Sequence, residues 1–91
     1  MQSQLIRENI TREQILEIIA EHTREILPEL DGQDIGPSDR LVELGANSVD
    51  RAEILMRVQE SLDLTVPRVE LYGPRNIGEL AELLFEKLNA A

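Results

Sequence analysis

The chain has 91 residues, and its formal net charge of −9 makes binding to nucleic acid or to an anionic membrane unfavourable and favours partners with basic docking surfaces. It has no cysteine and a single histidine, which excludes disulfides, thiolate metal sites and a zinc centre built from neighbouring histidines. A chain of this length forms one domain, and aromatic residues make up only 2%, so we expect a core of aliphatic side chains, as in a compact helical bundle.

No stretch of about 18 apolar residues occurs in the sequence, and the N-terminal segment has neither a long apolar run nor a clear periodicity. The sequence therefore predicts a soluble, cytoplasmic monomer that does not bind membranes. Residues 1–10 are expected to form a flexible leader, and residues 11–91 the domain.

The first helix is predicted to begin after Thr11 and to stop before Pro28. Thr11 and Gln14 fit a capping box, and apolar positions then recur at helical spacing. The stripe consists of Ile15, Ile18, Ile19, His22 and Ile26. Because His22 continues this stripe, we expect its imidazole to be satisfied at the edge of the core and to have no catalytic role.

Residues 28–45 are rich in Pro and Gly and are predicted to form a long loop. Ordering so long a loop costs conformational entropy, so its aliphatic residues are expected to pack across the bundle. These residues are Leu30, Ile35, Leu41 and Leu44.

The second helix is predicted over about residues 48–61, where apolar residues again recur at helical spacing. The predicted stripe consists of Val49, Ala52, Leu55, Val58 and Leu62. A short helix is expected within residues 67–72, between a proline and a Gly-Pro pair.

The last helix is predicted to extend to about residue 88, after a capping signature formed by Asn76 and Glu79. Its apolar face consists of Ile77, Leu80, Leu84 and Leu88. The predicted fold is therefore all-α, with three longer helices, one short helix and a long first loop.

Ser48 lies where the long loop becomes the second helix. If Asn47 is the N-cap, its side chain accepts a hydrogen bond from the backbone N–H of Val49 or Asp50, and the Ser48 hydroxyl stays free. A phosphorylated group on that hydroxyl would lie beside unpaired N–H groups at the positive end of the helix dipole. The local pattern alone favours a simpler interpretation, in which Ser48 only caps the helix.

The segment Leu44-Gly45-Ala46-Asn47-Ser48-Val49-Asp50 resembles the prosthetic-group attachment segment of acyl carrier proteins. The helix order, the length and the acidic balance fit that family over about residues 11–88. The resemblance implies a four-helix acyl-carrier-protein-like bundle in which a phosphopantetheinyl transferase attaches 4'-phosphopantetheine covalently to Ser48. It also implies a carrier that is not an enzyme. The arm supplies the thiol that this chain, which has no cysteine, does not itself contain.

Residues 45–56 and 67–80 more narrowly resemble the discrete carriers of polyketide β-branching cassettes, a form of secondary metabolism that includes antibiotics. This resemblance implies that an acyltransferase loads malonyl and that a decarboxylating ketosynthase-like enzyme converts it to acetyl. An HMG-CoA-synthase-like enzyme would then use the acetyl group. The alternative within the family is a carrier for ordinary polyketide or fatty-acid elongation or for amino-acid loading. The alternative from another class is an arm-free helical adaptor for protein recognition.

The partner surface is predicted around Ser48, because a partner must approach that end of the helix to reach the arm. The candidate contacts are Asn47, Val49, Asp50, Arg51, Glu53, Met56 and Tyr72. Asn47 stands where the family usually has Asp, and Arg51 and Arg57 interrupt a helix face that is more uniformly acidic in many members. We therefore expect an altered choice of partner.

Several of these residues also have a simpler interpretation. Helical spacing favours burial of Val49 and Met56 in the core, and the position of Tyr72 before a turn favours half-buried packing. Arg68 and Arg75 are equally compatible with a partner contact and with a solvated loop.

Overall fold

The computed structural model describes residues 10–90, and within that range the chain forms helices and loops without a β-strand. Helix α1 spans Arg12–Ile26, α2 spans Ser48–Ser61, α3 spans Arg68–Leu71 and α4 spans Ile77–Ala90. A 3-10 turn, Pro28–Leu30, follows α1. The predicted all-α order of three longer helices and one short helix is confirmed. Between residues 10 and 90, no helix has the length and apolar character needed to cross a bilayer.

The predicted leader, residues 1–10, lies outside the described residues except for Ile10, which packs against the core. The predicted capping box then begins α1. The backbone N–H of Gln14 donates to Thr11 Oγ1 at 3.1 Å, and the backbone N–H of Thr11 donates to Gln14 Oε1 at 2.8 Å. Because a proline ring fixes φ and removes the N–H donor, α1 ends before Pro28, as predicted.

The core is aliphatic and lies between α1, α2 and α4, since α1 packs against both of the other long helices. The fully enclosed aliphatic side chains are Ile15, Ile19, Ile54, Val58, Leu62 and Leu84. Thr23 is the one buried polar residue of the described chain, and its hydroxyl donates to the backbone oxygen of Ile19 at 2.7 Å. Its burial therefore leaves no unsatisfied group.

The buried face of α2 differs from the predicted stripe. Ile54 and Val58 are buried, whereas Val49 and Ala52 are exposed and Leu55 is half-buried. The physical reason is helix geometry: Ile54 and Val58 are four residues apart and share the face that packs on the core, whereas Val49 and Ala52 lie about 140–160° around the helix from Ile54. Val49, in the first turn of α2, therefore faces outward.

The long loop is pinned as predicted, because Leu30 is buried and the other three aliphatic residues pack against the core. It is also bonded to the start of α4. The backbone N–H of Ile77 donates to the Asp39 oxygen at 2.9 Å, and that of Gly78 donates to the Pro37 oxygen at 2.8 Å. These bonds satisfy helix N–H groups that have no partner within the helix.

A polar cluster joins α1 to the far end of α2. His22 Nδ1 lies 2.8 Å from Glu25 Oε1, and His22 Nε2 lies 2.7 Å from Ser61 Oγ. Arg57 bridges Glu25 at 3.3 Å and Glu53 at 3.2 Å. The hydrogen bond from His22, with a smaller contribution from Arg57, lowers the pKa of Glu25, and the bond to Glu53 raises the pKa of Arg57. The predicted position of His22 at the core edge, with both ring nitrogens hydrogen-bonded, is confirmed.

Candidate functional site

Ser48 is the first residue of α2 and its side chain is exposed. Asn47 caps the helix: its Oδ1 accepts from the backbone N–H of Asp50 at 2.8 Å, and its own N–H donates to Asp50 Oδ2 at 3.1 Å. This reciprocal capping box leaves the serine with no capping duty. Within residues 10–90 the Ser48 hydroxyl has no hydrogen-bond partner.

The turn before Asn47 fixes the position of this serine. The N–H of Gly45 donates to the Val42 oxygen at 3.2 Å and that of Ala46 donates to the Leu41 oxygen at 3.0 Å, the bonds of a Schellman motif. Gly45 has φ of +107°, a value that disfavours residues with a Cβ. Arg51 Nη1 also donates to the Ala46 oxygen at 2.8 Å. Ala46 is thus held from both sides, two residues before Ser48.

The end of α2 around Ser48 is suited to a phosphodiester. The backbone N–H groups of Ser48 and Val49 have no acceptor in the described part of the chain, and they lie at the positive end of the helix dipole. The hydroxyl faces solvent, so a bulky group attached there would displace no core side chain. The residues present therefore fit a phosphate-linked group on this oxygen.

An open groove of about 970 Å³ begins at Ser48 and is bordered by α2, α3, the loop and the start of α4. Exposed apolar side chains line it: Val42 at 52%, Val49 at 73%, Met56 at 49% and Tyr72 at 72%. The predicted burial of Val49 and Met56 and the predicted half-burial of Tyr72 are wrong. The four-residue α3 is too short to cover this flank of α2.

The charged residues of the groove differ from the acidic average of the chain. Arg40, Arg51, Arg68 and Arg75 line it, and among residues 10–90 Glu53 is the single acidic residue of the lining. Arg68 and Arg75, for which the sequence favoured neither role, therefore belong to the groove. Arg40 and Val42 were missed because nothing in a breaker-rich loop indicates which side chains face a groove.

The other predicted contacts divide into two groups. Val49, Arg51, Glu53, Met56 and Tyr72 line the groove with Ser48, whereas Asn47 and Asp50 form the capping box beside it. The Glu53 carboxylate is engaged with Arg57.

The site offers a nucleophilic oxygen but no catalytic constellation. His22 is too far from Ser48 to act as a base. It contacts Ser61 at the opposite end of α2, and the 13 residues of helix between Ser48 and Ser61 correspond to about 20 Å. Residues 10–90 contain no group of His, Cys, Asp and Glu that could hold a metal ion. The arrangement therefore exposes a serine hydroxyl, and no group among residues 10–90 is placed to activate it as a nucleophile.

Comparison with known proteins gives consistent matches. Residues 13–84 match the family described as phosphopantetheine attachment site. The chain is 54% identical over 80 residues to the polyketide biosynthesis acyl-carrier-protein AcpK of Bacillus subtilis strain 168, covering 88% of this chain and 98% of that protein. It is 26% identical over 80 residues to the acyl carrier protein of Cyanidium caldarium, covering 88% and 93%.

A solved structure is also similar. It is the crystal structure of the curacin biosynthetic pathway HMG synthase in complex with an acetyl donor acyl carrier protein. The match has a TM-score of 0.81 and 52% sequence identity, and it covers 86% of this chain and 100% of the matched chain.

Proposed function

Because the chain belongs to the acyl carrier protein family, whose members are non-catalytic carriers with a phosphopantetheine attachment site, we propose that Ser48 bears the phosphopantetheine arm. The observation that carries this proposal is the exposed hydroxyl of Ser48, unbonded within the described residues, at the start of α2. When bound, the group supplies a terminal thiol that holds acyl groups as thioesters.

The residues of this chain contribute positioning. Asn47 and Asp50 hold the first turn of α2, and Ala46 is fixed by the preceding turn and by Arg51. The attachment oxygen is therefore held on a rigid element while its surroundings stay open to a transferase. Pre-organisation of this kind reduces the ordering cost when a partner engages the modified residue.

The proposed cargo is acetyl, delivered to an HMG-CoA-synthase-like enzyme for β-branching in polyketide biosynthesis. Two matched proteins support this assignment, the Bacillus subtilis polyketide carrier and the acetyl donor carrier in complex with the curacin HMG synthase, because each shares more than half of the aligned residues. The phosphopantetheinyl transferase, acyltransferase and decarboxylating ketosynthase-like partners belong to the same proposal, as do the monomeric state and the cytoplasmic location.

The attachment site is tested by mass spectrometry after incubation with coenzyme A and a broad-specificity phosphopantetheinyl transferase. We expect the intact chain to gain the mass of one phosphopantetheine and the Ser48→Ala variant to gain none. Ser38→Ala removes another exposed serine hydroxyl and should load as the wild type does. If the wild-type chain gains no mass, the arm-free adaptor is the correct interpretation.

The cargo is tested on the loaded chain, charged with acetyl and mixed with the curacin-pathway HMG synthase. We expect the carrier to lose the acetyl mass while the enzyme becomes acetylated. If acetyl stays on the carrier, and a fatty-acid malonyl transferase instead loads the chain for efficient elongation, the chain serves ordinary elongation.

A further inference from the structure

We propose that the enzyme that takes the acyl group docks through carboxylates onto the four arginines that line the Ser48 groove. We call Arg40, Arg51, Arg68 and Arg75 the arginine rim. The inference rests on the proposed function, because it concerns the partner that approaches the modified Ser48. It assigns that partner an acidic docking surface, although the chain itself carries a net charge of −9.

Three of the four arginines in the rim have no carboxylate partner within residues 10–90, whereas most cations elsewhere in that range do. Away from the rim, three cations form ion pairs: Arg12 with Glu82, Arg57 with Glu25 and Glu53, and Lys87 with Glu70. Arg24 donates to the backbone oxygen of Gln33.

At the rim, Arg51, Arg68 and Arg75 have no carboxylate within 4.0 Å in the described part of the chain, and Arg40 lies 3.7 Å from Glu43. Arg51 donates to a backbone oxygen, and neither the Arg68 nor the Arg75 guanidinium has a hydrogen-bond acceptor between residues 10 and 90. Uncompensated positive charge in the described chain is therefore concentrated around the groove.

The exposed apolar side chains lie within the same region. Val42, Val49, Met56 and Tyr72 line the groove, and Val69, 76% exposed, lies on α3 between Arg68 and Tyr72. These are all the large apolar side chains that residues 10–90 expose. Exposed apolar side chains beside unpaired charged ones are the composition expected of a protein docking surface.

Charge complementarity identifies the occupant. A partner with carboxylates around an apolar contact would pair with the rim, whereas a basic docking surface would meet like charge here. At long range the net charge of −9 repels an anionic membrane and an acidic protein alike. A protein surface, however, can place single carboxylates opposite single arginines and keep its other acidic groups away from the rest of the chain, which an extended membrane surface cannot do. An acidic partner is repelled by the remaining surface of the chain and attracted by the groove. The two effects together favour encounters in which Ser48 faces the enzyme.

The test uses the acetyl-loaded full chain and the curacin-pathway HMG synthase as the probe. Arg68→Glu and Arg75→Glu are made separately, since both side chains are exposed and break no bond on replacement. We expect each variant to raise the KM for acetyl transfer about fivefold with kcat unchanged, because a rim charge governs encounter and not the chemical step. Arg24→Glu makes the same change in charge away from the groove and should leave KM near the wild-type value.

Ionic strength provides a second readout. Raising NaCl from about 50 to about 200 mM should increase the wild-type KM and change the KM of the two rim variants less, because part of their attraction to the partner is already lost. Equal KM values for the rim variants and Arg24→Glu, or faster transfer by the rim variants, would overturn the proposal. Mass spectrometry establishes complete loading of every chain first, so a failure of the proposed attachment site is detected separately from a failure of the docking proposal.

Discussion

At the scale of single residues, Asn47 has a role that the more usual Asp could also fill. Its amide oxygen caps α2, and its N–H is capped in turn by Asp50. The capping bond needs only an oxygen acceptor, so the amide does it without adding negative charge beside Ser48. Asn47 therefore meets the requirement for a capping oxygen at this position without contributing a negative charge.

Replacing Asn47 tests this requirement. Asn47→Ala should lower the free energy of unfolding by about 1 kcal/mol, because the Asp50 N–H loses its acceptor. Asn47→Asp should keep the wild-type stability or exceed it, since a carboxylate caps equally well and favours the helix N-terminus. Urea unfolding of the three chains measures both effects. Equal stability of Asn47→Ala and the wild type would show that the cap contributes nothing.

The sequence predicts the environment of a residue where nearby residues in the chain determine it, and fails where a distant part of the fold determines it. The cap at Asn47 and the unengaged Ser48 hydroxyl follow from residues within three positions of each other. Val49 and Tyr72 were expected in or near the core, and both are exposed, because their burial depends on how much of α2 the single-turn α3 covers. How much of α2 the short helix covers depends on tertiary packing, and the spacing of apolar residues along α2 does not indicate it.

At the scale of elements, helix boundaries were more predictable than helix faces. α1 and α2 begin at the predicted residues because capping side chains act within one turn, and α1 ends where Pro28 removes a backbone donor. The outward face of α2 was missed because a stripe of residues three apart drifts around the helix, whereas the buried Ile54 and Val58 are four apart. The capping signature before α4 formed in part: Asn76 Oδ1 accepts from the Glu79 N–H at 2.8 Å, but Glu79 Oε1 accepts from the Arg75 N–H instead of that of Asn76.

The contact between the long loop and α4 depends on a glycine. A Cβ on Gly78 would lie 2.9 Å from Pro37 Cβ and 3.1 Å from the Pro37 oxygen, so Gly78→Ala must push the loop away. We expect a loss of about 1–3 kcal/mol in the free energy of unfolding, as for other overpacked sites. Chemical denaturation measures it.

Gly36→Ala is the matched control for this substitution, since a Cβ there meets nothing within 4 Å. It should be neutral or slightly stabilising, because alanine restricts the unfolded chain. If both variants unfold at the same denaturant concentration, the loop yields without cost and the close approach does not stabilise the fold.

At the scale of the whole molecule, the family and the order of helices could be predicted from the sequence, but their mutual packing could not. Periodicity shows that a helix has an apolar face without showing which helix covers it. In the structure α1 packs against both α2 and α4, which leaves the α2–α3 side open as the groove. The cations that line this opening come from distant points of the sequence, so their proximity appears only in three dimensions.

Net charge gives a prediction at the same scale. The 91 residues carry a net charge of −9, so repulsion between like charges opposes the compact state. Salt screens this repulsion. At pH 7 the melting temperature should therefore rise between about 20 and about 300 mM NaCl. The rise should disappear near the sequence pI of 4.5, where acidic and basic charges balance. A melting temperature that falls with salt at pH 7 would mean that the ion pairs outweigh the repulsion.

The exposed Ser48 hydroxyl has a consequence for a chain that carries a tether there. Because this oxygen has no hydrogen-bond partner within residues 10–90, attachment would break no existing interaction of the hydroxyl and would not in itself require the bundle to rearrange. Under the proposed function, an enzyme would then distinguish empty from loaded copies by contact with the acyl group at the end of the tether.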